Sequence, residues 1–170
     1  ISPRLKSFPP LLLGGGQEGG YRSGTEATPA IFSFAAAAEA GAATFREDRE
    51  RETALLAGLA ETLSALPGVV INGAHEAPHI LSVSVPGVPT QNTINILQDH
   101  GICVSAGSAC AKGHRSHVLT AMGIRPEIID ATFRVSLSRL NTQEELDKLV
   151  QAIRLDILPR VKAERSGIHE

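Results

Sequence analysis

A long stretch of helix-forming residues is the feature that most constrains the fold of this chain. Residues 30–66 are rich in Ala, Glu, Arg and Leu, and the leucines of their second half recur at helical spacing. Pro29, as the first helical residue, and Thr28, as the N-cap, predict where the helix begins. The dipeptide Pro67-Gly68 predicts its end. We therefore expect one long helix, with Gly41 as the position where it could break.

Shorter elements follow the long helix. The capping-box pattern of Thr142 and Glu145 predicts the start of the last helix. Apolar alternation predicts strands within 79–86, 102–110 and 131–138, and helical spacing predicts helices within 94–101, 116–123 and 142–161. The expected fold class is α/β: a compact α+β unit over residues 68–165, in which helices pack on one face of a small antiparallel or mixed sheet.

Composition excludes several classes of function. The formal net charge is −2 and the charges are mixed in sign, so no basic surface for nucleic acid is expected. No apolar run is long enough to cross a bilayer, and we expect no membrane partner. Two cysteines do not form a disulfide scaffold in a chain of 170 residues, so a reducing, cytoplasmic setting is expected.

The stretch SAGSACAKGHRSH, residues 105–117, contains the best candidate nucleophile, Cys110. Small neighbouring residues leave its thiol uncovered, and nearby positive charge favours the reactive thiolate. The basic side chains that follow are Lys112, His114, Arg115 and His117. The alternative is a buried, inert cysteine, and this is our expectation for Cys103, which lies within the predicted strand.

A metal site is a further alternative for this region. Cysteine and histidine side chains can bind zinc. The four possible ligands are Cys103, Cys110, His114 and His117. Their spacing departs from the closely paired cysteines of zinc fingers, and we expect no metal site here.

Two other places offer groups for binding an anion. Residues 22–25, at the end of a glycine-rich stretch, supply a guanidinium and two hydroxyls suited to phosphate or carboxylate, although the residues by themselves favour a structural turn. Arg134 interrupts an otherwise apolar strand and needs a partner, either in an ion pair or as a fork for a substrate carboxylate. Asp130 and Arg139 are expected to be surface or pairing charges.

Three segments together resemble cysteine desulfurases of the NifS/IscS type, which are pyridoxal-phosphate enzymes of the fold-type I aminotransferase superfamily. The segments are GGGQEGGYRSGTEATPAI, GICVSAGSACAKGHRSHVLTAMGI and FRVSLSRLNTQEELDKL, in that order. The resemblance extends from about residue 11 to 160 and is to the C-terminal portion of these enzymes.

The resemblance implies a role for three residues. Cys110 matches the cysteine that takes the sulfur of L-cysteine as a persulfide and leaves L-alanine. Arg134 matches the arginine that binds the substrate carboxylate. Thr25 matches a threonine that reaches the cofactor phosphate of the other subunit of a homodimer.

The resemblance also implies a division of the chain. Residues 1–28 would be the glycine-rich end of the large cofactor domain, and residues 29–67 the connecting helix. Residues 68–165 would be the small C-terminal domain with the catalytic cysteine loop, and residues 166–170 a tail.

The lysine that holds pyridoxal 5'-phosphate as a Schiff base in such enzymes has no match here. The only lysines are Lys6, Lys112, Lys148 and Lys162, and none lies in the family's Ser-x-His-Lys motif. We therefore expect a fragment of a longer enzyme that is inactive alone.

The expected function is that of a cysteine desulfurase that supplies sulfur for Fe–S clusters, thio-cofactors or tRNA. Its expected partners are L-cysteine, a sulfur-acceptor protein or Fe–S scaffold, and a second copy of itself. The alternatives are a selenocysteine lyase, which would act on selenium in the same way, and a non-enzymatic carrier whose Cys110 accepts a persulfide made elsewhere.

Overall fold

The computed structural model describes residues 8–74, 77–106 and 115–161. The chain divides into two compact units, Ile1–Phe45 and Arg46–Glu170. After a 3₁₀ turn, Gln17–Gly20, the elements are α1 Thr28–Ser64, β1 Val70–Asn72, β2 Ile80–Ser84, α2 Thr90–Asp99, β3 Ser105–Ala106, α3 His117–Ala121, α4 Pro126–Ile129, β4 Thr132–Ser136 and α5 Gln143–Ala152. A π-helical turn, Ile153–Ile157, continues α5.

Helix α1 confirms the predicted long helix. The Ile31 N–H donates to the Ala27 carbonyl, so the ladder of hydrogen bonds starts one residue earlier than expected. Thr28 is therefore the first helical residue and not the N-cap. The helix continues through Gly41 without a break, because its Ala-rich neighbours offset the cost of about 1 kcal/mol that a glycine adds to a helix.

The four strands form one antiparallel sheet in the order β1-β2-β4-β3. The predicted strands near residues 80 and 132 are confirmed, and β4 lies between β2 and β3. A short strand that enters a loop is expected within 102–110, and among the described residues Ser105 and Ala106 pair with β4. Residues 102–104 leave the sheet, and residues 107–110 lie outside the described part of the chain.

One face of this sheet forms the core of the second unit. Leu81, Val83 and Phe133 are each 0% exposed on that face. Helical side chains from the second half of α1, from α2 and from the C-terminal helix belong to the same cluster; they include Leu56, Leu59, Leu63, Leu97, Leu146, Leu149, Ile153 and Ile157. The predicted leucine stripe of α1 is confirmed as a core face, and helices pack on this face as expected.

The opposite face of the sheet is polar, and one end of it is buried. The Asn72 amide donates to the Ser84 hydroxyl at 2.8 Å. The hydroxyls of Ser84 and Thr132 are 2.7 Å apart, and Thr132 Oγ1 donates to the Ile128 carbonyl at 2.7 Å. The two buried hydroxyls are satisfied by these contacts, which fixes α4 against the end of β4, whereas Asn72 Oδ1 has no hydrogen-bond partner among the described residues.

The first unit has little buried apolar surface of its own. Its Phe8 and Tyr21 rings lie 6.1 Å apart, and a bridge pairs Leu12 with Arg22. On the first half of α1, Phe32 and Phe34 are 75% and 78% exposed. No helix within the described residues is both long and apolar enough to span a membrane.

The capping box predicted at α5 is present. The Thr142 hydroxyl accepts from the Glu145 N–H, and the Glu145 carboxylate accepts from the Thr142 N–H. A hydrogen bond from Asn141, followed by the one from Thr142, lowers the pKa of Glu145. The carboxylate's contribution is therefore complete above its ordinary pKa and is lost only as the pH falls through the lowered one.

We expect Thr142→Ala to lower the free energy of unfolding by about 1 kcal/mol, because one N-terminal amide of α5 loses its acceptor. Urea denaturation at neutral pH measures this loss. Thr53→Ala is the matched control: its hydroxyl bonds within the interior of α1, and we expect a change of less than about 0.5 kcal/mol. Equal losses in the two variants would contradict the capping role.

Candidate functional site

Arg134 lies on the polar face of the sheet, at the centre of β4. Its register partners are Ser82 on β2 and Ser105 on β3. The side chain is exposed, and within the described residues it has neither a salt bridge nor a hydrogen bond. The structural ion pair that the sequence left open is thus not formed there, and the guanidinium is available to a ligand.

One of the described residues that precede the segment with Cys110 pairs with this arginine in the sheet. Cys110, Lys112 and His114 themselves lie outside the described residues. On the N-terminal side of the segment, Ser105 pairs with Arg134 in the sheet. On the C-terminal side of the segment, the first described residue is Arg115.

Arg115 forms a two-pronged ion pair with Asp130. Its Nε and Nη2 atoms donate to the two carboxylate oxygens at 2.7 and 2.6 Å. These hydrogen bonds lower the pKa of Asp130 and raise the pKa of Arg115. The expectation that Asp130 is a pairing charge is confirmed. The positive charge of Arg115, which we expected to favour the Cys110 thiolate, is instead directed at a carboxylate.

Cys103 is exposed, so the expectation of a buried packing residue was wrong. The reason is that residues 102–104 separate from β4 and leave a cavity of about 350 Å³ between themselves, the end of β4 and α5. His100 and Lys148 also line this cavity. His100 is 3.1 Å from Asp156.

Thr25 ends a turn in which side chains donate hydrogen bonds to backbone carbonyl oxygens. Arg22 donates to the carbonyl oxygens of Gly24 and Thr25, at 3.2 and 3.5 Å. The Ser23 hydroxyl donates to the Gly15 carbonyl at 2.8 Å. The Arg22 and Ser23 side chains are thus used within the turn, and the Thr25 hydroxyl remains for a ligand.

The described residues fit only one contact of a pyridoxal-phosphate site. The Thr25 hydroxyl could bind a phosphate oxygen. Lys148 is the one lysine within the described residues, and it lies on the exposed surface of α5. The Schiff-base lysine and the groups that contact the ring are not among them.

The described residues also contain no cluster of three or more His, Cys, Asp or Glu side chains suited to a metal ion. Of the four possible ligands named from the sequence, Cys110 and His114 lie outside the described part. His117 is the first residue of α3.

Two arginine contacts near the site are not apparent from the sequence. Arg51, on the second half of α1, donates to the carbonyl oxygens of Arg139 and Asn141 in the turn that follows β4. The Arg115–Asp130 pair is the other. Both join residues that are far apart in the chain, so no local pattern indicates them.

Comparison with known proteins identifies the family. The chain belongs to the aminotransferase class-V family, whose model matches residues 3–149. The relatives it matches include several cysteine desulfurases. It is 40% identical over 150 residues to cysteine desulfurase 2 of Trichormus variabilis, a match that covers 85% of this chain and 37% of that protein. The resemblance read from the sequence is thereby confirmed.

Solved structures give the same assignment. A NifS-like protein from Rickettsia africae has a TM-score of 0.75 and 31% identity, over 87% of this chain and 39% of that one. A second NifS-like protein has a TM-score of 0.74 and 36% identity. The expected fold class is confirmed. The chain spans about two fifths of the length of the relatives it matches.

Proposed function

We propose that this chain is the part of a cysteine desulfurase that carries its sulfur-accepting thiol. In the proposed reaction, the Cys110 thiol takes the sulfur atom of L-cysteine. The carbon–sulfur bond of the substrate breaks, a sulfur–sulfur bond forms at Cys110, and L-alanine leaves. Atoms and electrons balance without a further oxidant or reductant.

The availability of Arg134 carries this proposal. An exposed arginine without a partner in the described part of the chain, flanked by the small side chains of Ser82 and Ser105, suits a planar carboxylate. Ser105 belongs to the strand whose next residue, Ala106, is the last described one before the segment with Cys110. Binding the substrate by its carboxylate at Arg134 would therefore bring L-cysteine to the strand from which the nucleophile's segment begins.

Pyridoxal 5'-phosphate is the cofactor that the family implies. We propose that Thr25 would bind its phosphate across a homodimer interface, and the cofactor, when bound, would supply an electron sink for the cleavage of the carbon–sulfur bond. In this proposal residues 1–28 complete the cofactor domain, α1 connects the domains, and residues 68–165 form the small domain. The exposed apolar side chains of the first unit, Phe32 and Phe34 among them, would contact the rest of that cofactor domain.

The setting and the acceptor follow from the same chemistry. A thiol that must stay reduced before each turnover suits the cytoplasm. The acceptor would be a thiol-bearing protein or an Fe–S scaffold, because a persulfide passes its outer sulfur to another thiolate. A selenocysteine lyase would use the same residues on a selenium substrate.

Mass spectrometry on the complemented chain tests the proposal. The 170-residue chain would be purified with the N-terminal portion of the Trichormus variabilis relative, supplied with pyridoxal phosphate and L-cysteine, and digested. We expect a mass increase of one sulfur atom on the peptide that contains Cys110, and release of L-alanine. Both should require the N-terminal portion.

A parallel sample replaces the N-terminal portion by a complete desulfurase from another source. Sulfur that reaches Cys110 only in this sample, without activity of the complemented chain, would identify a carrier and contradict the enzymatic proposal. Sulfur on Cys103 instead of Cys110 would contradict the assigned nucleophile. L-cysteine and L-selenocysteine supplied in turn distinguish the desulfurase from the lyase.

A further inference from the structure

A chain of hydrogen bonds crosses the buried end of the polar face of the sheet, and its direction is fixed at one end. The Thr132 hydroxyl donates to the Ile128 carbonyl at 2.7 Å, because a carbonyl oxygen can only accept. This hydroxyl has one hydrogen, so in the 2.7 Å contact between Ser84 and Thr132 the donor is Ser84. The hydrogen of Ser84 is then used as well, and Ser84 must accept from the next member of the chain, Asn72.

The same chain decides how the Asn72 amide is turned. Only the amide nitrogen can donate, so Nδ2 and not Oδ1 must face Ser84, at 2.8 Å. Nδ2 also donates to the Ser82 hydroxyl, at 3.2 Å. Asn72 is 6% exposed, and its Oδ1 has no hydrogen-bond partner among the described residues. An unpaired buried oxygen is costly, so the two serines that accept from Nδ2 set the orientation of this amide.

Ser82 is the member of this chain whose hydrogen remains free. Its oxygen accepts from Asn72, and its own O–H has no acceptor within the described residues. The Ser82 side chain is half-buried, whereas Ser84 is 0% exposed, so the chain of hydrogen bonds opens to solvent at Ser82. A hydroxyl that already accepts a hydrogen bond is a better donor, because hydrogen bonds in a chain polarise one another. Ser82 therefore offers a donor hydrogen at the surface of the sheet.

The free hydrogen of Ser82 lies in the same register row as Arg134. Ser82 pairs with Asn72 on one neighbouring strand and with Arg134 on the other, so the three side chains lie on one face of the sheet. Side chains that are paired in this way have Cβ atoms about 5 Å apart. A carboxylate can accept about four hydrogen bonds, so one that is bound by both prongs of a guanidinium can still accept from a neighbouring hydroxyl.

We propose that Ser82 is a second donor to the substrate carboxylate beside Arg134, and that Asn72 is a positioning residue that fixes the Ser82 hydroxyl as a donor. This inference rests on the proposed function, which places the carboxylate of L-cysteine at Arg134. It gives the site a preference for an ionised carboxylate over an ester, because a hydrogen bond to an ionised acceptor is about twice as strong as one between neutral groups.

Removal of the Ser82 hydroxyl tests its contact with the substrate. In the complemented chain we expect Ser82→Ala to lower kcat/KM about ten-fold for L-cysteine and about two-fold for L-cysteine methyl ester. Ser82→Thr keeps the hydroxyl and should keep most of the activity. Ser136→Ala is the matched control: Ser136 lies on the same strand and face as Arg134 but pairs with Ile80, so neither rate should change. Equal losses for the acid and the ester would overturn the carboxylate contact, and so would equal losses in Ser82→Ala and Ser136→Ala.

A double-mutant cycle tests the positioning role of Asn72. Asn72→Ala should lower kcat/KM for L-cysteine about five-fold when Ser82 is present. It should have no further effect in the Ser82→Ala background, because the hydroxyl that Asn72 orients has been removed. A loss of stability in Asn72→Ala would affect both backgrounds alike. A fall in kcat/KM of the same size in both backgrounds would therefore contradict the positioning role.

Titration of the 170-residue chain with acetate separates this inference from the proposed function. We expect acetate to shift the nuclear magnetic resonance signal of the Arg134 Nε–H, and Ser82→Ala to weaken the acetate affinity about five-fold, whereas Ser136→Ala leaves it unchanged. An affinity that is the same in both variants would overturn the inference, even where sulfur loads normally onto Cys110. An unsubstituted chain that never acquires sulfur on Cys110 would overturn the proposed function, and the titration would still decide whether Ser82 and Arg134 bind one carboxylate together.

Discussion

Arg134→Gln is expected to lower kcat/KM for L-cysteine about 100-fold in the complemented chain. The substitution removes a charge-assisted, two-pronged contact to the substrate carboxylate, and such contacts contribute up to about 3 kcal/mol. Because Arg134 is exposed and has no partner among the described residues, its loss leaves no buried charge behind. We therefore expect the urea midpoint of the chain to be unchanged, so that the loss of activity reports on substrate binding alone.

Two further variants make this result specific. Arg134→Lys keeps the charge but not the fork, and we expect it to recover only part of the lost activity. Arg125→Gln removes an arginine from the exposed surface near α4 and should have no effect. Activity of Arg134→Gln within two-fold of the unsubstituted enzyme would show that the carboxylate binds elsewhere.

The elements with a strong local signal were predictable from the sequence. The long helix, the capping box at Thr142 and the alternating strand around Phe133 depend on periodicity and caps, which act over a few residues. The start of α1 shifted by one residue because Ala27 supplies the first carbonyl of the ladder, and residue types do not fix that choice.

The errors arise where a contact joins distant residues. Cys103 lies in a sequence typical of a buried strand, and it is exposed because its neighbours separate from β4, which local composition does not reveal. The expectation that the basic residues near Cys110 favour its thiolate rests on their charge alone. The partner of Arg115 lies fifteen residues away across two short helices, so its charge could not be assigned without the fold.

The candidate site likewise has one part that the sequence predicts and another that depends on the fold. Arg134 could be singled out because a charge in an apolar strand needs an explanation. Its placement between Ser82 and Ser105 depends on the strand order β1-β2-β4-β3, in which sequential strands are not all neighbours. That order also places β3, whose Ala106 is the last described residue before the Cys110 segment, beside the strand of Arg134, and residue types alone do not predict it.

Phe133→Ala is expected to lower the free energy of unfolding by about 3–5 kcal/mol. The ring is completely buried on the core face of β4, where it belongs to the same cluster as the leucines of α1, and Phe133 pairs with Val83 on the neighbouring strand. Removing the ring leaves a cavity that the surrounding sheet cannot fill without bending. The expected loss in free energy of unfolding is a large part of the total for a typical domain. Urea denaturation of the 170-residue chain measures the change.

Phe34→Ala is the matched control for this loss. Its ring is 78% exposed, so the same substitution should change the free energy of unfolding by less than about 0.5 kcal/mol. Phe133 also pairs with Ala106 on β3, so its backbone lies between two neighbouring strands, whereas Phe34 lies on the exposed part of α1. Equal losses in the two variants would contradict the core position of Phe133.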